Sequence, residues 1–163
     1  MDQSATHHTG STSSGTLTAT SAARMLELLE RNLQEVFGEG DPARRRAALA
    51  ELWVEDCELY APPGIIRGRT AIDEFAGNLR AMHADFAYTP IGVPQVLHDA
   101  GRLAWGSGPA GEPPRYTGWD VLIAQDGRIK TLLVFLDGDG DQGENDDEPH
   151  TNSSRVDALD ADG

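Results

Sequence analysis

Residues 128–137 carry apolar side chains on both faces of what reads as a single extended strand. Side chains alternate along a strand, so Ile129, Leu133 and Phe135 are expected on one face and Leu132, Val134 and Leu136 on the other. The stretch 115–124 repeats the pattern, with Val121 and Ile123 opposite Leu122. Between the two, Asp126-Gly127 is a strong two-residue hairpin signal. A strand pair that is apolar on both sides needs cover on both sides. Helices of the same chain can supply one cover. A symmetric second copy is the simplest source of the other, so the pattern predicts a homodimer formed through the sheet.

The helices precede the strands. Met25, Leu28, Leu29, Leu33, Val36 and Phe37 recur at helical spacing and predict a helix over 21–37, ended by Gly38 and Gly40. Asp41-Pro42 is an N-cap followed by a first-turn proline, and it opens a second helix with the stripe Ala48, Leu49, Leu52 and Trp53. Its Arg44-Arg45-Arg46 run reads as a solvated face. A short strand, 57–61, stops at Pro62-Pro63-Gly64, and 65–67 can pair with it. Thr70 to Asp73 resembles a capping box at the start of a third helix, with Ile72, Phe75, Ala76, Leu79 and Met82 on one face. The stretch 86–97 is extended, but Pro90 and Pro94 confine it to an edge or a bulge. Strand 102–107 and a Gly/Pro loop, 106–114, lead into the final pair. Helices followed by an antiparallel meander define an α+β layer.

Composition sets the domain limits and narrows the partners. Residues 1–20 are mostly Ser, Thr, Gly and Ala, and 138–163 hold nine acids and one arginine. Segments this polar cannot offset the entropy of ordering, so both are expected to be disordered tails around one domain at 21–137. The formal net charge is −14, which argues against nucleic acid and against an anionic membrane as partners. Cys57 is the single cysteine, so no internal disulfide is expected. With no secretory pattern at the N-terminus and no apolar run of the ~20 residues a bilayer requires, the chain is expected in the cytoplasm.

Two segments carry a family resemblance. Leu52-Trp53-Val54-Glu55-Asp56-Cys57-Glu58-Leu59-Tyr60-Ala61-Pro62-Pro63-Gly64, followed by Arg67-Gly68-Arg69-Thr70-Ala71-Ile72, resembles the NTF2-like superfamily. The closing Thr117-Gly118-Trp119-Asp120-Val121-Leu122-Ile123-Ala124-Gln125-Asp126-Gly127-Arg128-Ile129, ending at Phe135-Leu136-Asp137, is similar to its SnoaL-like branch. The resemblance implies a cone: three N-terminal helices packed on a curved antiparallel sheet around a deep apolar pocket. It implies a small-molecule ligand and no cofactor. Members include ketosteroid isomerases, polyketide cyclases, epoxide hydrolases, dehydratases and non-catalytic binding modules, so the fold alone does not assign a reaction. Of the isomerase residues, the general base corresponds to Ala61 and the helix-borne tyrosine falls near Leu33. The second oxyanion donor, which is also the acid/base aspartate of the SnoaL-type cyclases, corresponds to Asp120.

Asp120 is therefore the candidate acid/base. It shares its face with Tyr116, Leu122 and Ala124, and a carboxylate on an apolar face must be hydrogen-bonded or have a raised pKa. The alternative is a structural carboxyl tied to a neighbouring strand, to Arg69 or to Arg115. Tyr60 is a candidate to hold a carbonyl oxygen, and His83, after the third helix, is a candidate to share a proton with Asp120. Either can equally be a packing or helix-end residue. Trp53, Tyr116, Trp119 and Phe135 are the expected pocket aromatics. No metal-ligand spacing, phosphate loop or serine nucleophile elbow is present in the sequence. The sequence thus supports a cofactor-independent cyclase, isomerase or dehydratase acting on a small apolar carbonyl or polyketide-like compound. Its alternative is a non-catalytic ligand-binding or dimerisation module.

Overall fold

The computed structural model describes residues 19–138. The expected tails, 1–20 and 138–163, lie outside these residues except for 19, 20 and 138. Thr20 is already part of the packed structure. It is buried, its N–H donates to Asp99 Oδ1 at 2.9 Å, and its hydroxyl accepts from Gly127 N.

The first helical stretch changes character midway. The α-helix α1 (Ala22–Arg31) is capped by Ser21 and buries Met25, Leu28 and Leu29. It runs straight into a π-helical segment, Asn32–Phe37, which the spacing of apolar residues did not distinguish from an α-helix. Asn32 is buried there because its Oδ1 accepts the indole N–H of Trp53 at 3.0 Å. Helix α2 (Pro42–Leu52) starts as expected, with Asp41 accepting from Ala43 N. Trp53, however, is not its last residue. It opens β1 (Trp53–Ala61), which hydrogen-bonds to β2 (Gly64–Arg67).

Helix α3 (Arg69–Met82) begins one residue before Thr70, at a Gly68 with φ 85° and no side-chain cap. The anticipated capping box does not form: with Gly68 as the N-cap, Thr70 lies inside the helix, and Asp73 is engaged elsewhere. Its carboxylate accepts from Arg45 Nε at 2.7 Å and from Arg46 Nε at 2.9 Å. Arg44 and Arg46 are exposed, as a solvated face requires, but Arg45 is buried and bridges α2 to α3.

The remaining strands are β3 (Phe86–Leu97), β4 (Ala100–Pro109), β5 (Tyr116–Gln125) and β6 (Arg128–Leu136). They form one six-stranded sheet in the order β2-β1-β6-β5-β4-β3. As its prolines required, β3 is an edge strand, and its register shifts between Ile91 and Gln95. The meander β3 to β6 is antiparallel, but β1 pairs with β6 in parallel, so the sheet is mixed.

The face assignment on β6 also needs one correction. Ala124 pairs with Ile129 and Ile123 with Thr131, which leaves Lys130 as an extra residue in the ladder. This bulge moves Ile129 onto the inner face with Leu132, and both are fully buried. Lys130 Nζ reaches Asp56 Oδ2 at 2.7 Å, where β1 has its own register shift. The three helices cover the inner face and bury one contiguous core that includes Leu28, Leu33, Leu49, Leu52, Leu103 and Leu122. This is the α+β architecture expected from the order of elements.

Candidate active site

The helices and the inner face of the sheet do not meet everywhere. A cavity of about 340 Å3 remains between them. The π-helical segment contributes Leu33 and Phe37, α3 contributes Phe75, Leu79 and Met82, and the β1 turn contributes Ala61, Pro62 and Pro63. The sheet contributes Phe86, Tyr88, Trp105, Ser107, Tyr116, Asp120, Val134 and Leu136. A volume of this size suits a small organic ligand. Among the described residues, no lysine or arginine lines it.

Among the described residues, Asp120 is the one carboxyl in the cavity, and it is only 4% exposed. Oδ1 accepts the indole N–H of Trp105 at 2.8 Å. Burial pushes its pKa from 3.8 up to about 7, and the Trp105 bond draws it partly back. The arginines that offered a structural alternative are occupied. Arg69 donates to the Trp53 carbonyl, and Arg115 lies 3.8 Å from Glu112. Asp120 makes no ion pair among the described residues. A carboxyl buried without a counter-charge and half-protonated near neutrality can both take and return a proton.

Gly118 makes room for the tryptophan. It is the β5 partner of Trp105, and a Cβ there would lie 2.9 Å from the indole Cζ2 and would clash with the Phe135 carbonyl oxygen. Tyr88 stands on the other side of the indole, with ring centroids 5.6 Å apart. Its cross-strand partner is Ser107, whose side chain lies on the same face of the sheet. Burial pushes the Tyr88 phenol up, the Ser107 hydroxyl lowers it, and the nearby Asp120 charge raises it.

His83 caps α3 and stacks on Phe86 with centroids 4.3 Å apart, while Tyr116 lies 5.8 Å away. The three form one aromatic group on the cavity wall. No hydrogen bond joins His83 to Asp120 among the described residues.

The structure thus brings together Asp120, His83 and Tyr116. It places the other expected residues elsewhere, and strand alternation explains three of them. On β1 the odd residues Cys57 and Leu59 are buried, so Tyr60 points outward, where its hydroxyl donates to Glu58 Oε2 at 3.1 Å. On β5 the even residues face inward, so Trp119 lies on the outer face under the Arg102 guanidinium, 4.8 Å away. Phe135 pairs with Trp119 on that outer face and is 55% exposed. Trp53 is fully buried in the core. Sequence reading missed Tyr88, Trp105 and Ser107. Alternation from Leu103 through Trp105 to Ser107, all within the expected strand 102–107, was the available signal.

Among the described residues, no group of three or more His, Cys, Asp or Glu could hold a metal ion. No helix among them is long and apolar enough to cross a membrane.

No family model matches the chain, and no curated protein matches it by sequence. Solved structures do match. A candidate isomerase of the SnoaL-like family from Agrobacterium tumefaciens aligns at 23% identity and a TM-score of 0.66, over 71% of this chain and 99% of that one. A candidate ketosteroid isomerase from Kribbella flavida aligns at 18% identity and a TM-score of 0.58, over 85% and 94% of the two chains. An NTF2-like protein of unknown function from Mesorhizobium loti aligns at 22% identity and 0.55, over 72% and 93%. The chain therefore has the NTF2-like fold. Its structural neighbours are SnoaL-like and ketosteroid isomerase-like proteins.

Proposed function

We propose that this chain is a cofactor-independent acid/base enzyme of the SnoaL-like type. Its substrate is a small, largely apolar carbonyl or polyketide-like compound, and its reaction is a cyclisation, isomerisation or dehydration. One observation carries this reading: Asp120 is buried in an apolar cavity with no cation beside it and a pKa of about 7. As the carboxylate it takes a proton from the carbon next to the carbonyl, and as the acid it returns one. The candidate isomerases and polyketide cyclases among the structural neighbours support the same reading.

Proton exchange tests it without knowledge of the natural substrate. The purified protein is incubated with 2-tetralone, a two-ring ketone, in deuterated buffer, and loss of the α-hydrogen signals is followed by NMR. Wild type should accelerate exchange, and Asp120→Asn should slow it by about 100-fold or more. Equal exchange rates in the two proteins would sink the proposal.

A second reading has its own support. Ala61 and Leu33 both line the cavity, and neither can take or give a proton, which favours a non-catalytic ligand-binding module. Tight ketone binding with no exchange above buffer would select it.

The proposed partner is a second copy of the chain. Tyr60, Ile91, Ile123 and Phe135 are exposed on the outer face, beside half-buried Trp119, Val121 and Leu133. A monodisperse monomer in light scattering at micromolar concentration would remove the dimer.

A further inference from the structure

Asp120 can move a proton, but an enolate formed in an apolar cavity also needs its oxygen held. Charge developing on a carbonyl oxygen with no donor in reach is strongly disfavoured. The cavity offers few donors. The Trp105 N–H is committed to Asp120. Tyr116 is half exposed, and His83 is stacked with it and Phe86. Ser107 is buried and faces Tyr88 across the ladder. The Tyr88 hydroxyl remains.

We infer that Tyr88 is the residue that holds the substrate's carbonyl oxygen while Asp120 moves the proton. This rests on the acid/base reading above and assigns that site its second working group. Tyr88 is fixed from three directions. Gln34 Nε2 of the π-helical segment donates to the Tyr88 carbonyl at 2.8 Å. Ser107 stands opposite it across the β3–β4 ladder, and its hydroxyl acts to lower the phenol pKa. The Trp105 indole packs edge-on against its ring while holding Asp120 with its N–H. One indole therefore sets both groups relative to each other. A hydroxyl both donates and accepts, so Ser107 can donate to the phenol oxygen and leave the phenol proton for the ligand.

The step balances without any co-reactant. The Asp120 carboxylate takes the α-proton, and the C–H electron pair becomes the new C=C bond. The C=O π pair moves onto the oxygen, where the Tyr88 O–H donates to it. Return of the proton from Asp120 reverses or relocates the double bond.

Binding of 2-naphthol tests this. Its hydroxyl occupies the enol oxygen's place and its rings fill the apolar interior. Naphthalene, which lacks the oxygen, is the reference. Dissociation constants for both are measured by fluorescence on the full chain. Wild type should prefer 2-naphthol, and Tyr88→Phe should weaken 2-naphthol by about three- to tenfold with naphthalene unchanged. Unchanged binding of both probes to Tyr88→Phe overturns the assignment to Tyr88 while leaving the cavity and Asp120 in place. If neither probe binds wild type, the pocket reading itself falls, and this inference with it. If Tyr88→Phe loses naphthalene as well, Ser107→Ala decides. A selective loss of 2-naphthol there supports the inference, and no loss overturns it.

Discussion

The Trp105 indole N–H lies 2.8 Å from Asp120 Oδ1, on the neighbouring strand of the same sheet. Among the described residues, it is the one hydrogen bond made to a carboxyl that burial has pushed up to about 7. Removing it leaves burial unopposed. Trp105→Phe should therefore raise the Asp120 pKa further and move the midpoint of the exchange–pH profile upward. The carboxyl carbon shift of Asp120, followed by NMR across pH 5–10, reads the change directly. A midpoint that stays in place would show that the indole does not tune the acid.

Asp120 also makes stability depend on pH. The folded state binds this proton up to about 7, whereas the unfolded chain releases it near 3.8. Between those values the folded state holds more protons, so stability falls as pH rises through the interval. Full ionisation of the group corresponds to a penalty on the order of 4 kcal/mol. Asp120→Asn removes it. The variant should match wild type in urea unfolding at pH 4 and exceed it by roughly 2–4 kcal/mol at pH 8. Equal stabilities at pH 8 would contradict the raised pKa.

Gly118 is predicted to be as sensitive as any residue that touches the ligand. A methyl group at this position must displace the Trp105 ring or the Phe135 backbone. Gly118→Ala should destabilise the fold by about 1–3 kcal/mol. It should also weaken naphthalene binding, because the indole it displaces is part of the cavity wall. Calorimetry and fluorescence titration of the same sample check both effects.

The Asp73 carboxylate joins α2 to α3 by accepting from Arg45 and Arg46. Asp73→Ala leaves the buried Arg45 guanidinium without its partner and should destabilise the protein by about 3–5 kcal/mol. Replacing Arg45 with Met in the same protein should recover much of that loss. Urea unfolding of the single and double variants measures the coupling.

Much of the fold was legible in local chemistry. Asp41-Pro42 opened α2, Asp126-Gly127 turned the last hairpin, and Pro90 and Pro94 put β3 at an edge. What escaped depended on contacts between distant segments. Thr70 and Asp73 have the spacing of a cap, but the nearby Arg45 claims the carboxylate. Ile129 changes face because Lys130 bulges toward Asp56, a partner 74 residues away. Within the site, Asp120 stood out as an acid on an apolar strand. Tyr60, Trp119 and Phe135 were plausible by residue type, and their strand parity puts them on the outer face. Tyr88 was hidden because proline and glycine interrupt the alternation of β3.

The parallel pairing of β1 with β6 has a kinetic consequence. Leu59 is laddered to Leu132 and Tyr60 to Leu133, so the first long strand gains its inner neighbour only from the last one. Until β6 arrives, β1 has a single short partner, β2, and the cavity has no continuous floor. Contacts this distant in sequence slow folding. Refolding is therefore expected to be one late, cooperative step in which the sheet closes and the binding cavity appears together.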